Sequence, residues 1–279
     1  MRFPVRHFTE LDSTNSEAAR LAQAGEAGPL WIVAERQTAG RGRRGRVWQG
    51  ASGNLAATLL LTTDQAPAQA AQMAFVTALA LADMAAAFVA EDLIRVKWPN
   101  DLLVGGAKAG GVLIETGAIA APPFPLLRGE GSGMGVQPVR SALSRSITPN
   151  PDLSPLKGER SLWLAVGVGA NLTSAPTDMP YPATSLAAHG PAPSPADALE
   201  ALDASFARWL DVWETRGFEP IRTAWMGRAH GLGQVCTVSL GDRTVTGVHD
   251  GLDADGALLL RVGGALQRIT AGDVIFGGV

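Results

Sequence analysis

Trp31-Ile-Val-Ala-Glu35 and Leu55-Ala-Ala-Thr-Leu-Leu-Leu61 are short, almost wholly apolar runs bounded by polar and glycine-rich sequence. Runs of this length and flanking are buried strands rather than helices. Leu93–Trp98, Gly111–Glu115 and Leu162–Gly169 have the same character. Helical patterns lie around and between them. The first begins near Ser13–Thr14, where Thr14 and Glu17 have capping-box spacing, and runs to about Ala24. The second is the alanine-rich Gln69–Ala90. The third is Ala196–Thr215, with Leu199, Leu202, Phe206, Trp209, Leu210 and Trp213 on one face. A fourth covers Pro220–Arg228. Strands and helices interleave without a steady alternation, which predicts an α+β fold: a mixed sheet with helices packed on it.

After Gly231 the texture changes. Gln234–Leu240, Arg243–Asp250, Ala257–Val262, Leu266–Thr270 and Asp273–Phe276 are short β runs separated by Gly-Asp, Asp-Gly and Gly-Gly turns. They predict a small β-barrel. The expected division is therefore a domain over 1–230 and a second over 231–279. Ala118–Ser161 fits neither part. It holds seven prolines, lacks periodicity and repeats itself, Leu127-Arg-Gly-Glu-Gly-Ser132 echoing Leu156-Lys-Gly-Glu-Arg-Ser161. Its wording resembles translated palindromic repeat DNA. It interrupts two strands that a short hairpin would otherwise join, so it is expected to be a disordered surface insertion rather than a lid.

The chain has 279 residues, 46% hydrophobic and 18% charged, which is globular and large enough for a substantial core. A net charge of −3 argues against a surface devoted to nucleic acid, though not against a local basic patch. The single cysteine, Cys236, excludes a disulfide framework and a thiolate zinc cluster, and fits a reducing cytoplasm. No apolar core of signal-peptide length stands at the start. Met73–Ala90 approaches membrane-spanning length, but Thr77, Asp83 and the lack of flanking basic residues predict a buried helix and no membrane partner.

Four motifs carry chemistry. Arg36–Arg46 packs five arginines and three glycines into eleven residues. Glycines admit close backbone approach, and arginines supply planar donor forks for phosphate or carboxylate. The same run also suits a solvated basic loop or an RNA patch; Trp48, just beyond it, is a stacking platform or a core residue. Lys97-Trp-Pro-Asn-Asp101 brings a lysine, an amide and a carboxylate to a strand end, with Lys108 seven residues further on. Two lysines near one carboxylate suit a carboxylate substrate and an α-phosphate, or form a surface salt bridge. Ser13-Thr-Asn15 is a helix cap or a cluster of small hydrogen-bonding groups, with Gln37 a further amide. Gly167-Val-Gly-Ala-Asn171 lacks the third glycine and the following helix of a dinucleotide fingerprint.

Taken in order, STN, ERQTAGRGRRGRxW, KWPND, KAGGVLIE and VGxGxN resemble the biotin protein ligase family, over residues 8–117 and 162–279. The resemblance implies ATP-dependent formation of biotinyl-5′-AMP and transfer of the acyl group to one lysine of a biotin carboxyl carrier protein. It places biotin against Ser13, Thr14, Asn15, Gln37, Arg41, Gly42, Arg43 and Lys108. It places the nucleotide against Arg41, Gly42, Arg43, Arg44, Arg46, Trp48, Asn100 and Asn171. Catalytic roles fall to Lys108, Arg43, Asp101 and Lys97, with Asp101 orienting the acceptor amine. Magnesium is expected on the phosphates, with its protein ligands unassigned. Family members with an N-terminal winged helix bind operator DNA; STN starts at Ser13, so no DNA partner is expected. Members dimerise in some lineages, which leaves a homodimer open.

Other activities remain on the table. A lipoate ligase of the same fold attaches a different acid, though the arginine loop and KWPND suit the biotin branch better. An octanoyl transferase requires a cysteine in the first domain, and Cys236 lies beyond it. A non-enzymatic RNA-binding protein would use the arginine loop but leaves KWPND and STN without a role.

Overall fold

The computed structural model describes residues 1–48, 50–119, 161–241 and 243–276. The elements run β1 (Val5–Leu11), α1 (Thr14–Gln23), β2 (Leu30–Gln37), β3 (Leu55–Thr63), α2 (Pro67–Ala70), α3 (Met73–Ala86), β4 (Ile94–Lys97), β5 (Asp101–Val104), β6 (Ala107–Ala118) and β7 (Leu162–Ala170). Then follow α4 (Pro195–Arg216), α5 (Phe218–Gly227), β8 (Val235–Ser239), β9 (Thr244–Leu252), β10 (Leu258–Val262), β11 (Ala265–Ile269) and β12 (Asp273–Phe276). A seven-stranded mixed sheet has the order β1-β2-β3-β7-β6-β5-β4. Only β1 and β2 run parallel; every other neighbour is antiparallel.

The period-2 alternation of the central strands splits the core in two. Trp31 and Val33, Leu55, Ala57 and Leu59, and Leu164, Val166 and Val168 face one way, onto α3 and α4, against which α5 packs. Leu30, Ile32, Leu60, Trp163 and Ala165 face the other way, where Ala18 and Ala22 of α1 cover them. The α1 face stays partly open beyond the helix N-terminus, and the cleft described below lies there.

Several expectations are corrected. The cap of α1 is Ser13, whose side chain accepts from the Ser16 amide; Thr14 is already the first helical residue, so the capping-box spacing from Thr14 to Glu17 has no role. The alanine-rich helix is two helices, because Pro67 starts a single separate turn and Ala71–Gln72 divide it from α3. Helix α3 ends at Ala86, four residues short of Ala90. Strand β1 has no apolar run, being a mostly exposed edge, and is held by its pairing to β2. Its lead-in is anchored by Asp203 of α4, which accepts from the Arg2 and Phe3 amides and from Trp31 Nε1 at 2.9 Å.

Pro67–Ala86 is long and apolar enough to cross a membrane, but most of it is packed inside the protein. Its polar groups are paired there. Thr77 donates to the Met73 carbonyl at 2.6 Å, and Asp83 accepts from Arg208 and Trp209, each at 2.7 Å, and pairs with Arg228.

Strands β8–β12 form a separate five-stranded antiparallel sheet, order β11-β10-β9-β8-β12, SH3-like in kind. Cys236 is buried in its core with Val238, Leu258, Leu260 and Val274, and burial pushes its thiol pKa up to about 11, so it is inert packing. The segment between α5 and β8 is bonded to β4 of the larger sheet, Val96 N donating to Arg228 O (2.9 Å) and His230 N to Val96 O (2.8 Å).

The expected insertion lies almost wholly outside the described residues. Its flanks do not: β6 and β7 are antiparallel neighbours down to Ala118 opposite Leu162, and Ile119 N donates to Ser161 O at 3.1 Å.

Candidate active site

One cleft is lined by Ser13, Thr14, Asn15, Gln37, Arg41, Gly42, Arg43, Arg46, Trp48, Asn100, Asp101, Lys108 and Tyr181, with Gly111, Leu113, Gly167 and Gly169 as its floor. Its first end is a buried hydrogen-bonding cluster. The turn from β1 into α1 buries Ser13, Thr14 and Asn15. The Thr14 amide donates to Gln37 Oε1 at 2.8 Å. Thr58 Oγ1, from β3, lies 2.8 Å from Thr14 Oγ1 and 2.7 Å from Asn15 Oδ1. Asn15 Nδ2 donates to Glu115 Oε2 at 2.8 Å. Donors and acceptors are thus fixed before any ligand arrives, as a buried polar ring requires.

The glycines of Gly167-Val-Gly169 have a steric reason. A Cβ on Gly167 would stand 2.2 Å from Asn15 Oδ1, and one on Gly169 would stand 2.4 Å from the Trp48 indole. Both residues sit on the cleft face of β7, so the strand is bare where a side chain and a ring must lie on it.

The second end is charged. Strands β4 and β5 form a tight hairpin in which Lys97 pairs directly with Asp101. Asp101 Oδ2 is 3.0 Å from Lys97 Nζ, and Oδ1 is 2.5 Å from Lys108 Nζ. All three side chains are largely buried. Burial by itself would raise the Asp101 pKa, but Lys108 and then Lys97 outweigh it and hold the carboxyl below its ordinary range. Lys108 reaches this position through a β-bulge. The register between β5 and β6 shifts between Leu102 and Leu103, so that Gly111 and Lys108, three apart, share one face while Ala109 turns into the core. The Lys108 ammonium also lies 5.4 Å from the Tyr181 ring centroid.

The arginine loop closes the cleft. Gly42 N donates to Arg46 O at 2.7 Å, and Arg41 bridges to Val47, so residues 41–47 form a narrow turn. Arg44 takes a left-handed φ of 56° at its tip. Arg43 Nη1 is 3.2 Å from Asn100 Oδ1 and 3.5 Å from Asp273 Oδ1, and its Nη2 donates to Gly272 O at 3.2 Å. Arg44 and Arg46 reach the same Asp273 carboxylate at 3.5 and 2.9 Å. Burial lowers the Arg43 pKa despite Asp273 and Asp101 nearby. Arginine's intrinsic basicity keeps it charged nonetheless.

Comparison with known proteins bears on this arrangement. The Biotin/lipoate A/B protein ligase family matches residues 8–121, and the Biotin protein ligase C terminal domain matches residues 231–277. A biotin--[acetyl-CoA-carboxylase] ligase of Paracoccus denitrificans is 38% identical over 96% of this chain and 98% of its own length. The chain belongs to the biotin protein ligase family. A bifunctional ligase/repressor of Bacillus subtilis is 28% identical over 96% of this chain but only 72% of its own length. The Aquifex aeolicus biotin protein ligase, solved in complex with biotin and ATP, shares the fold with a TM-score of 0.70 at 23% identity, covering 98% of this chain and 97% of that one.

Most of the expected residues line this one cleft. Three do not. Lys97 is not among the lining residues, though it pairs with Asp101, which is. Arg44 points to the second sheet, 3.3 Å from the Ser239 carbonyl. Asn171 is buried outside the cleft, its Nδ2 donating to Thr184 O at 3.1 Å; its Oδ1 has no partner among the described residues. Sequence reasoning also passed over Thr58, Glu115, Tyr181 and Asp273. Thr58 and Asp273 carry no local signal, since each acquires its partners only across strands distant in sequence. Glu115 ends the quoted KAGGVLIE run and was legible only as a motif letter.

Proposed function

We infer that this chain is an ATP-dependent biotin ligase. It activates biotin as biotinyl-5′-AMP and passes the biotinyl group to one lysine of a biotin carboxyl carrier protein. The observation that carries this reading is the polarity of this cleft: a prearranged hydrogen-bonding cluster at one end, a lysine–aspartate–lysine group at the other, and arginines closing over the space between.

In the first step a biotin carboxylate oxygen attacks the α-phosphorus of ATP, an O–P bond forms, and pyrophosphate leaves. The carboxylate is already a nucleophile, so no serine or cysteine is needed. The barrier is charge repulsion and alignment, which cations and fixed donors lower. Ser13, Thr14, Asn15 and Gln37 hold the uncharged ureido end. Lys108 meets the carboxylate and α-phosphate. Arg41, Gly42, Arg43 and Arg46 take the phosphates, Trp48 offers a ring face to the base, and Asn100 positions Arg43. In the second step the acceptor amine attacks the acyl carbon and AMP leaves with the former anhydride oxygen. Asp101, anionic and fixed between two lysines, orients that amine.

Among the described residues no three His, Cys, Asp or Glu side chains converge as metal ligands. The nearby carboxylates Asp101, Asp273 and Glu115 are all ion-paired. That donor set suits magnesium entering with the triphosphate. The reading includes a cytoplasmic location, a division at about residue 230, and neither DNA nor membrane among the partners.

Pyrophosphate release from MgATP, with biotin, lipoate and octanoate supplied separately, tests the reading. Release with biotin alone is the expected result. Release with lipoate alone would move the chain to the neighbouring branch of the fold, and silence from a folded sample with all three acids would defeat the ligase assignment. A second expectation concerns the β6–β7 connection. Because Ala118 and Leu162 already face each other, replacing residues 120–160 with a short hairpin turn should leave the pyrophosphate-release rate within about threefold, loop shortening itself costing little. Loss of activity in a folded product would give that segment a part in the reaction.

A further inference from the structure

We propose that Glu115 couples the two ligand positions of the cleft, acting as the positioning residue through which biotin sets the base of the arginine loop. The inference rests on the ligase reading above. A single oxygen, Glu115 Oε2, accepts from Asn15 Nδ2 and from Arg41 Nη2, each at 2.8 Å. Asn15 belongs to the hydrogen-bonding cluster and is only 4% exposed, with its Oδ1 already engaged by Thr58. Arg41 opens the arginine turn and is bridged across it to Val47. Strand alternation puts Glu115 on the same face of β6 as Leu113, which lines the cleft. One carboxylate thus touches a side chain from each ligand position.

A shift of the Asn15 amide on engaging a ligand changes what Glu115 offers to Arg41, and ordering of the loop on phosphate changes what Arg41 asks of Glu115. The Arg41 and Glu115 side chains are 46% and 32% exposed, so their ion pair adds little to folding. Its removal is felt where two states differ, in the mutual tightening of the ligands.

The test uses the full chain with biotin and α,β-methylene ATP, which blocks adenylate formation. Dissociation constants are measured for each ligand alone and in the presence of the other. In the natural chain each ligand should tighten the other by one common factor, as linkage requires. Glu115→Gln keeps an acceptor for Asn15 and loses the charge facing Arg41. It should reduce that factor by about three- to fivefold, the scale of a partly exposed ion pair, with each single-ligand constant within about twofold. Arg41→Met should reduce the factor similarly, and the double variant no further. A merely structural role for Glu115 would lower thermal stability or weaken both ligands alike, leaving the factor intact. An undiminished factor in Glu115→Gln, or no mutual tightening in the natural chain, overturns the proposal while the ligase reading stands. Failure of either ligand to bind the folded natural chain overturns both.

Discussion

Replacing Lys108 with alanine should slow adenylate formation by about 10²–10³-fold, the usual cost of removing one preorganised charge from a developing anion. The effect is large because no neighbour can stand in. Lys97 does not line the cleft, so Lys108 is the one cation of the triad that does. The fold should survive, since Asp101 keeps Lys97 at 3.0 Å and is not left bare. Removing both lysines is different: an uncompensated buried carboxylate costs about 3–5 kcal/mol. Single-turnover pyrophosphate release with a thermal melt separates the cases. A rate within tenfold of the natural chain would remove Lys108 from the chemistry. The sign of the pH dependence follows from the lowered Asp101 pKa. The contribution of this triad to stability is complete above the ordinary carboxylate value of about 4 and fades only as pH falls through the lower folded value. Titration of Asp101 therefore does not shape the rate profile near neutral pH.

Arg43→Gly should yield a folded protein that loses its adenylate about 10–100-fold faster. Arg43 fastens the loop to Asn100 in the β4–β5 hairpin and to Asp273 and Gly272 at the start of β12, with three of its contacts at 3.2–3.5 Å. Charge-assisted bonds of this kind contribute about 1.5–3 kcal/mol when lost together with their partners' pairing. The loop adds nothing to either apolar core, so stability should change little. The readout is dissociation of preformed biotinyl-5′-AMP, or free adenylate accumulating in the absence of carrier. Arg43→Lys should recover only part of the retention, because the single nitrogen of an ammonium cannot span the separated acceptors as a planar fork does. Unchanged retention in Arg43→Gly would show that the loop does not hold the intermediate. The water-labile mixed anhydride gives this closure its chemical purpose.

Much of the architecture is local and was legible. WIVAE and LAATLLL are almost wholly apolar because both faces of the central strands are covered, and a doubly covered strand declares itself in composition. The amphipathic α4 declares itself by period. Strands β1 and β5 were missed for the converse reason: an exposed edge and a four-residue hairpin arm carry no such run.

The site divides along the same line. The residue types of Ser13–Asn15, of the arginine loop and of Lys97–Asp101 announce hydrogen bonding, phosphate and charge from the sequence alone, because those chemistries belong to the side chains themselves. Their meeting does not belong to any segment. The bulge that turns Lys108 toward Asp101, the bare strand that lets Asn15 and Trp48 lie on Gly167 and Gly169, and the Asp273 carboxylate facing three arginines all arise from strand register and sheet contact. The sequence by itself determined which groups this protein brings to its chemistry. The tertiary structure decided which of them touch, because a side chain's direction is set by pairing with strands as distant in sequence as β3 and β7.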